Sequence, residues 1–164
     1  MPPPAPDFLL RDLTGHPHAL SFYHGRITIL NFWSAECAWS ARVDAALREY
    51  MTQWGHAVHW VSIAPNVNET PEELTRVSRE RGLPLVLRDP QGEAASLFGA
   101  EVTPHLFVLD PDGFIRYQGA FDDVTFRQKT PTRNYLREAV DALLAGRTPD
   151  PAQTEAYGCT IVQF

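Results

Sequence analysis

Asn31-Phe32-Trp33-Ser34-Ala35-Glu36-Cys37-Ala38-Trp39-Ser40-Ala41-Arg42 joins two strongly patterned segments. Before it, Ile27-Thr28-Ile29-Leu30-Asn31-Phe32-Trp33 is a nearly continuous apolar, β-rich run, the pattern of a central strand covered on both faces. After it, Val43, Ala46, Leu47, Tyr50, Met51 and Trp54 recur at spacings of three and four, which predicts a helix over 38–54 that Gly55 ends. Cys37 therefore falls at the head of a long helix, just past a buried strand. Unpaired backbone N–H groups and the helix dipole converge there and favour an anionic sulfur, so its pKa is expected below that of a free thiol. Position alone leaves two readings open: a reactive thiolate, or a buried structural cysteine of the kind common in protein cores.

Outward from this junction the chain alternates between strands and helices. Residues 18–22 form a short strand candidate, and Gly25-Arg26 a turn. Residues 56–63 are the next apolar strand. Thr70-Pro71-Glu72-Glu73 offers an N-cap, a proline at the first helical position and acids in the first turn, and the helix it opens ends at Gly82. A short strand over 83–87 and a short helix over 92–98 follow. Asp110-Pro111-Asp112-Gly113 is a strong turn signal between hairpin arms at 106–109 and 114–119. A last amphipathic helix is predicted over 132–144, stopped by Gly146. The order β-α-β-α-(β)-α-β-β-α needs right-handed parallel crossovers in its first half and adds antiparallel strands late, which makes an α/β fold on a mixed sheet. No internal repeat or interdomain linker is visible. A single domain over 1–164 is expected, with a proline-rich lead-in at 1–6 and a tail at 147–164.

With 164 residues, the chain suits one domain of ordinary size. Its 44% hydrophobic and 21% charged residues argue against disorder. A net charge of −6 gives no electrostatic footprint for nucleic acid or an anionic membrane. No stretch approaches the roughly 20 apolar residues of a membrane span. The first residues lack the basic and apolar regions of a secretory signal, so a cytoplasmic location is expected. Two cysteines cannot build a disulfide scaffold, but they can carry redox chemistry.

Phe32-Trp33-(x)3-Cys37-(x)2-Ser40 resembles the active-site segment of the thioredoxin-like superfamily. It is similar to the redoxin branch, which groups thiol-disulfide oxidoreductases with alkyl hydroperoxide reductase/thiol-specific antioxidant proteins. Val102-Thr103-Pro104 resembles the cis-proline loop that faces the active-site cysteine in that superfamily. The run from Leu106 through Asp110-Pro111-Asp112-Gly113 to Ile115 resembles its strand-turn-strand hairpin, and Gly119-Ala120-Phe121-Asp122-Asp123 the stretch after it. Gly158-Cys159-Thr160-Ile161 is similar to the Gly-Cys-x-Ile ending of one redoxin subgroup. The resemblance covers roughly residues 6–161. It implies a thioredoxin-like three-layer sandwich and thiol-disulfide exchange through Cys37. Thr103 and Pro104 would then be the wall against which an extended disulfide substrate pairs with the strand edge.

The departures matter as much. The family's second motif cysteine is Ser40 here, which can hydrogen-bond to a thiolate but cannot close a disulfide. Glu36 stands where the family usually has tryptophan, either as a solvated loop acid or as a proton acceptor. Asn31 replaces the buried acid of thioredoxins proper. Trp39 shields the thiol or simply packs; Trp33, Trp54 and Trp60 read as core. Ser34 matches the position at which peroxiredoxins hold peroxide with a Thr or Ser. Leu30, however, replaces their proline, and none of Arg42, Arg116 and Arg127 is identifiable as their thiolate-stabilising arginine. A thiol peroxidase built on Cys37 and Ser34 is thus the second reading, and a redox-inactive binding module the third.

Cys159 is either a cysteine without a partner or the resolving thiol that Ser40 cannot be. Sulfenic acid or a mixed disulfide at Cys37 needs a second thiol for release, and a reversible Cys37–Cys159 disulfide would supply it. Ile161 and Val162 would dock the tail on an apolar groove. His105 follows Pro104 and lies near the thiol or on a surface loop. The six histidines and two cysteines show no metal-ligand spacing, and no cofactor is implied. The expected partners are protein or small-molecule disulfides and thiols, with peroxide under the second reading, and a thiol electron donor that the sequence does not name.

Overall fold

The computed structural model describes residues 2–163. Its centre is the predicted buried strand, β3 (Ile27–Phe32), every residue of which is buried. β3 runs parallel to β4 (Val58–Ala64) and antiparallel to β7 (His105–Leu109), so both of its edges are satisfied by neighbours. β5 (Val86–Arg88) continues the parallel side, and β8 (Ile115–Gly119) closes the hairpin with β7. With β1 (Leu9–Asp12) and β2 (Pro17–Ala19) the sheet has seven strands in the order β2-β1-β5-β4-β3-β7-β8. A separate pair joins β6 (Val102–Thr103) to β9 (Cys159–Thr160).

Helices α1 (Ala38–Trp54), α2 (Pro71–Arg81), α3 (Glu93–Phe98) and α4 (Tyr135–Leu144) cover the sheet. On one face Val43 and Leu47 of α1 and Leu136 and Val140 of α4 pack on Ile29, Trp60, Leu106 and Tyr117. On the other, Phe98 packs on Leu30, Phe32, Ile63 and Phe107, and Ile161 from the tail joins them. Leu47 is fully buried, and truncating such a side chain to alanine costs roughly 2–5 kcal/mol. Among the described residues, no helix is long and apolar enough to cross a membrane.

α1 spans the expected 38–54 and ends at Gly55; α2 begins after Thr70, whose side chain accepts the Glu73 N–H at 3.2 Å. Several elements differ from expectation: the strand expected over 83–87 is β5, which begins only at Val86, and the short strands β6 and β9 form where none is expected. The strand expected over 18–22 is shorter: after Ala19 the chain coils into a 3-10 turn, Leu20–Tyr23, that buries Leu20. β1 forms without a visible strand pattern, antiparallel to β5 on one side and to β2 on the other. The last helix starts at Tyr135 rather than at 132. Asp123 captures the backbone N–H groups of Thr132 and Arg133 at 2.9 and 3.3 Å, and Asn134 then caps the helix by accepting the Arg137 N–H at 2.8 Å.

Candidate active site

β3 and β4 end side by side, and the loops that follow them meet. The first loop carries Ser34, Ala35 and Glu36 to Cys37, which is the N-cap of α1 with extended backbone angles. Its carbonyl accepts the Ala41 N–H at 3.1 Å, and no side chain caps the helix. The sulfur therefore occupies the position of an N-cap oxygen, beside first-turn N–H groups that lack intrahelical partners.

Cys37 is bonded to Cys159, 122 positions later, with 6.2 Å between the Cα atoms. Cys37 is only 3% exposed, because the tail lies over it. Its Sγ sits 3.4 Å from the Thr103 carbonyl oxygen. The Thr103–Pro104 peptide bond is cis, as the resemblance implies. The tail follows the same loop: in the β6–β9 pair Thr103 faces Cys159 and Val102 faces Thr160. Gly158 lies directly on the Thr103 carbonyl, and a Cβ there would overlap that oxygen and reach within 3.0 Å of Pro104 Cδ.

A polar network braces the loop before Cys37. Glu69, buried in the loop after β4, accepts hydrogen bonds from the Ser34 hydroxyl and, at 3.0 Å, from the Ala35 N–H. Ser34 Oγ in turn accepts the Glu36 N–H at 3.2 Å. The Ser40 hydroxyl accepts the Ser34 N–H at 3.3 Å, so in this disulfide state Ser40 ties the start of α1 to the loop. Asn66 donates to Glu69 at 3.0 Å and accepts the Val162 N–H from the tail at 2.7 Å. Val162 itself is exposed, whereas Ile161 is buried, so of these two residues only Ile161 docks by its side chain, and Val162 holds by its backbone.

Behind the loop, Trp33 is fully buried and donates Nε1–H to Asp44 Oδ2 at 2.7 Å. Arg81 pairs with the same carboxylate at 3.1 Å and donates to the Ser34 and Ala35 carbonyls at 3.3 and 2.7 Å. Burial nevertheless pushes the Asp44 carboxyl up to about 6. His105 stacks on Phe107 with 4.5 Å between ring centres, and burial holds its pKa down to about 4. Glu36 is exposed and faces Glu73, whose pKa rises through desolvation and the Glu36 charge. Trp39 leans against Tyr157 of the tail and Phe126, at 5.0 and 5.8 Å. It also lines a groove of about 360 Å³ together with Arg42 and Lys129. Arg42 is paired with Asp122. Among the described residues, no three His, Cys, Asp or Glu side chains cluster as a metal site would require.

The structure thus brings Cys37, Ser40, Thr103, Pro104 and Cys159 together, with Ser34 and Trp39 alongside. Glu69, Asn66 and the steric role of Gly158 escape the sequence reading. One signal pointed to the first two: the polar run Asn66-Val67-Asn68-Glu69 follows a buried parallel strand, and loops at the carboxyl ends of adjacent parallel strands converge.

Fold and site define a thioredoxin-like protein with a cysteine at a helix N-cap facing a cis-proline loop. Residues 3–118 match the AhpC/TSA family, and the chain belongs to that family. It is 31% identical over 115 residues to the thiol-disulfide oxidoreductase ResA of Geobacillus kaustophilus, a match covering 68% of this chain and 64% of that relative's length. Two crystal structures are similar over 100% of this chain at 27% identity. One is an uncharacterized conserved protein from Geobacillus kaustophilus, with a TM-score of 0.91 and 92% of that chain covered. The other is a hypothetical protein from Sinorhizobium meliloti 1021, with a TM-score of 0.89 and 94% covered.

Proposed function

We propose that this chain is a thiol-disulfide oxidoreductase in which Cys37 is the attacking thiolate and Cys159 the resolving thiol. The observation that carries this reading is the Cys37–Cys159 bond laid against Thr103 and Pro104: the thiol missing at Ser40 is supplied by a cysteine 122 positions after Cys37. The relative named thiol-disulfide oxidoreductase supports the same chemistry.

In the reduced chain the Cys37 thiolate attacks one sulfur of a substrate disulfide. A mixed disulfide forms and the other substrate sulfur leaves as a thiolate. Cys159 then attacks Cys37 Sγ, the internal disulfide closes, and the second substrate thiolate departs. Two electrons pass to the substrate, and an external thiol donor returns them. First-turn amides stabilise the thiolate, Thr103 and Pro104 back the substrate, and Trp39 screens the sulfur. Ser40 holds the loop through Ser34, while the Ser34 hydroxyl spends its one hydrogen-bond donor on Glu69. That commitment of Ser34 favours exchange over peroxide reduction. In a reducing cytosol, the location expected from the sequence, the disulfide would be transient.

Reduction of glutathione disulfide or insulin by the dithiol form, measured in wild type, Cys37→Ser and Cys159→Ser, tests the proposal. Turnover should vanish in the first variant, and the second should stall as a mixed disulfide. Absence of turnover, with a Cys37 pKa at that of a free thiol, would leave only a binding module. Fast sulfenic acid formation at Cys37 with dilute peroxide would make the chain a peroxidase.

A further inference from the structure

The strand that closes the disulfide lies on the edge a substrate would use. Among the described residues β9 is the one strand paired with β6. The ladder continues past it, because the Ile161 N–H donates to the Glu101 carbonyl at 3.0 Å. With β9 withdrawn, β6 would present an unpaired edge beside the Cys37 sulfur, and such an edge is a template for an extended peptide.

One position on that edge is sterically restricted. At Gly158 a Cβ would meet the Thr103 carbonyl oxygen and carbon and the Pro104 ring. These are main-chain and ring atoms, so no rotamer change relieves the overlap. Gly158 is not among the glycines with positive φ, so space rather than backbone freedom demands the glycine.

We propose that this edge selects the same Gly-Cys pair in substrates. The substrate class is then an extended polypeptide whose disulfide-bonded cysteine directly follows a glycine, and Gly158-Cys159 is the built-in competitor for that edge. The proposal rests on the exchange reading and deepens it. The Cys37 thiolate attacks the sulfur of the substrate's Gly-Cys, and that cysteine's former partner leaves as a thiolate. When Cys159 then attacks Cys37 Sγ, β9 re-pairs with β6 and the substrate cysteine departs as a thiolate. Resolution and ejection become one event. The substrate disulfide gains two electrons and the Cys37/Cys159 dithiol loses two.

The test uses the reduced full chain carrying Cys159→Ser, and the same chain with Gly158→Ala added to push the tail off the edge. Each is mixed with peptides identical except for Gly, Ala or Val before a cysteine activated as its thionitrobenzoate mixed disulfide; dipyridyl disulfide is the control. The Gly peptide should react roughly tenfold or more faster than the Ala peptide, the ratio expected of one methyl forced into close packing. Adding Gly158→Ala should speed the Gly peptide further. Equal rates for the three peptides, or no peptide reaction while dipyridyl disulfide reacts, would overturn the proposal and leave exchange standing. Failure of Cys37 to react even with dipyridyl disulfide would overturn the exchange reading instead.

Discussion

Asn66 accepts the Val162 N–H at 2.7 Å with the same side-chain amide that donates to Glu69 at 3.0 Å. The tail is thereby linked to the loop that carries Cys37, through Glu69 and its bonds to Ser34 and Ala35. Replacing Asn66 with alanine removes both contacts. One such bond is worth about 1 kcal/mol net, which is roughly a fivefold change in an equilibrium constant. Equilibration of Asn66→Ala against dithiothreitol should therefore move the dithiol–disulfide balance about fivefold toward dithiol. An unchanged balance would mean that Ile161 and β9 hold the tail unaided.

The Cys37–Cys159 bond closes a loop with a sequence separation of 122. In the chain-entropy model, constraining an unfolded loop of that length stabilises the fold by ~5 kcal/mol. The oxidised chain should resist guanidinium to a clearly higher midpoint than the reduced chain. Cys159→Ser should give the lower midpoint with or without reductant. Coincident midpoints for oxidised and reduced wild type would show that the bond adds no constraint.

The core of the fold was legible because the hydrophobic period changes from a continuous run to threes and fours on either side of Cys37. That change fixed β3 and the bounds of α1, just as Thr70 and Gly82 bracketed α2. β1 and β9, of four and two residues, hold too few positions to show an alternation. They are strands because β5 and β6 offer edges, a property of neighbours distant in sequence. The pairing of Cys37 with Cys159 could be argued from the chemistry Ser40 lacks. The contact of Gly158 with Thr103 and the Asn66–Glu69 brace exist only once β4, β6 and the tail have been brought together.

Trp39 reports the tail. It meets Tyr157 edge-on at 5.0 Å, and Tyr157 also accepts the Phe126 N–H at 3.1 Å. The other three tryptophans, Trp33, Trp54 and Trp60, are buried in the core. Reduction that lifts the tail should take Tyr157 off Trp39 and expose its indole, shifting emission to longer wavelength. The shift should disappear in Trp39→Phe, and Cys159→Ser should emit like the reduced form before any reductant is added. Emission insensitive to reductant in wild type would mean that the tail stays seated as a dithiol.

Asp44 and His105 should oppose each other in the pH dependence of stability. Burial raises the Asp44 carboxyl from 3.8 to about 6, despite the Trp33 and Arg81 contacts. From about pH 4 to 6 the folded chain keeps a proton there that the unfolded chain has released, so this group's contribution to stability falls as pH rises. Burial lowers His105 from 6.5 to about 4. Over nearly the same window the unfolded chain carries a proton that the folded chain lacks, so this contribution rises with pH. Each shift corresponds to an effect on the order of 3 kcal/mol, and the two largely cancel. Asp44→Asn should therefore make stability climb with pH more steeply than wild type across the window, and His105→Gln should make it climb less or fall. Urea unfolding at several pH values reads both slopes, and parallel curves for the three proteins would show that neither group titrates with the shift its burial requires.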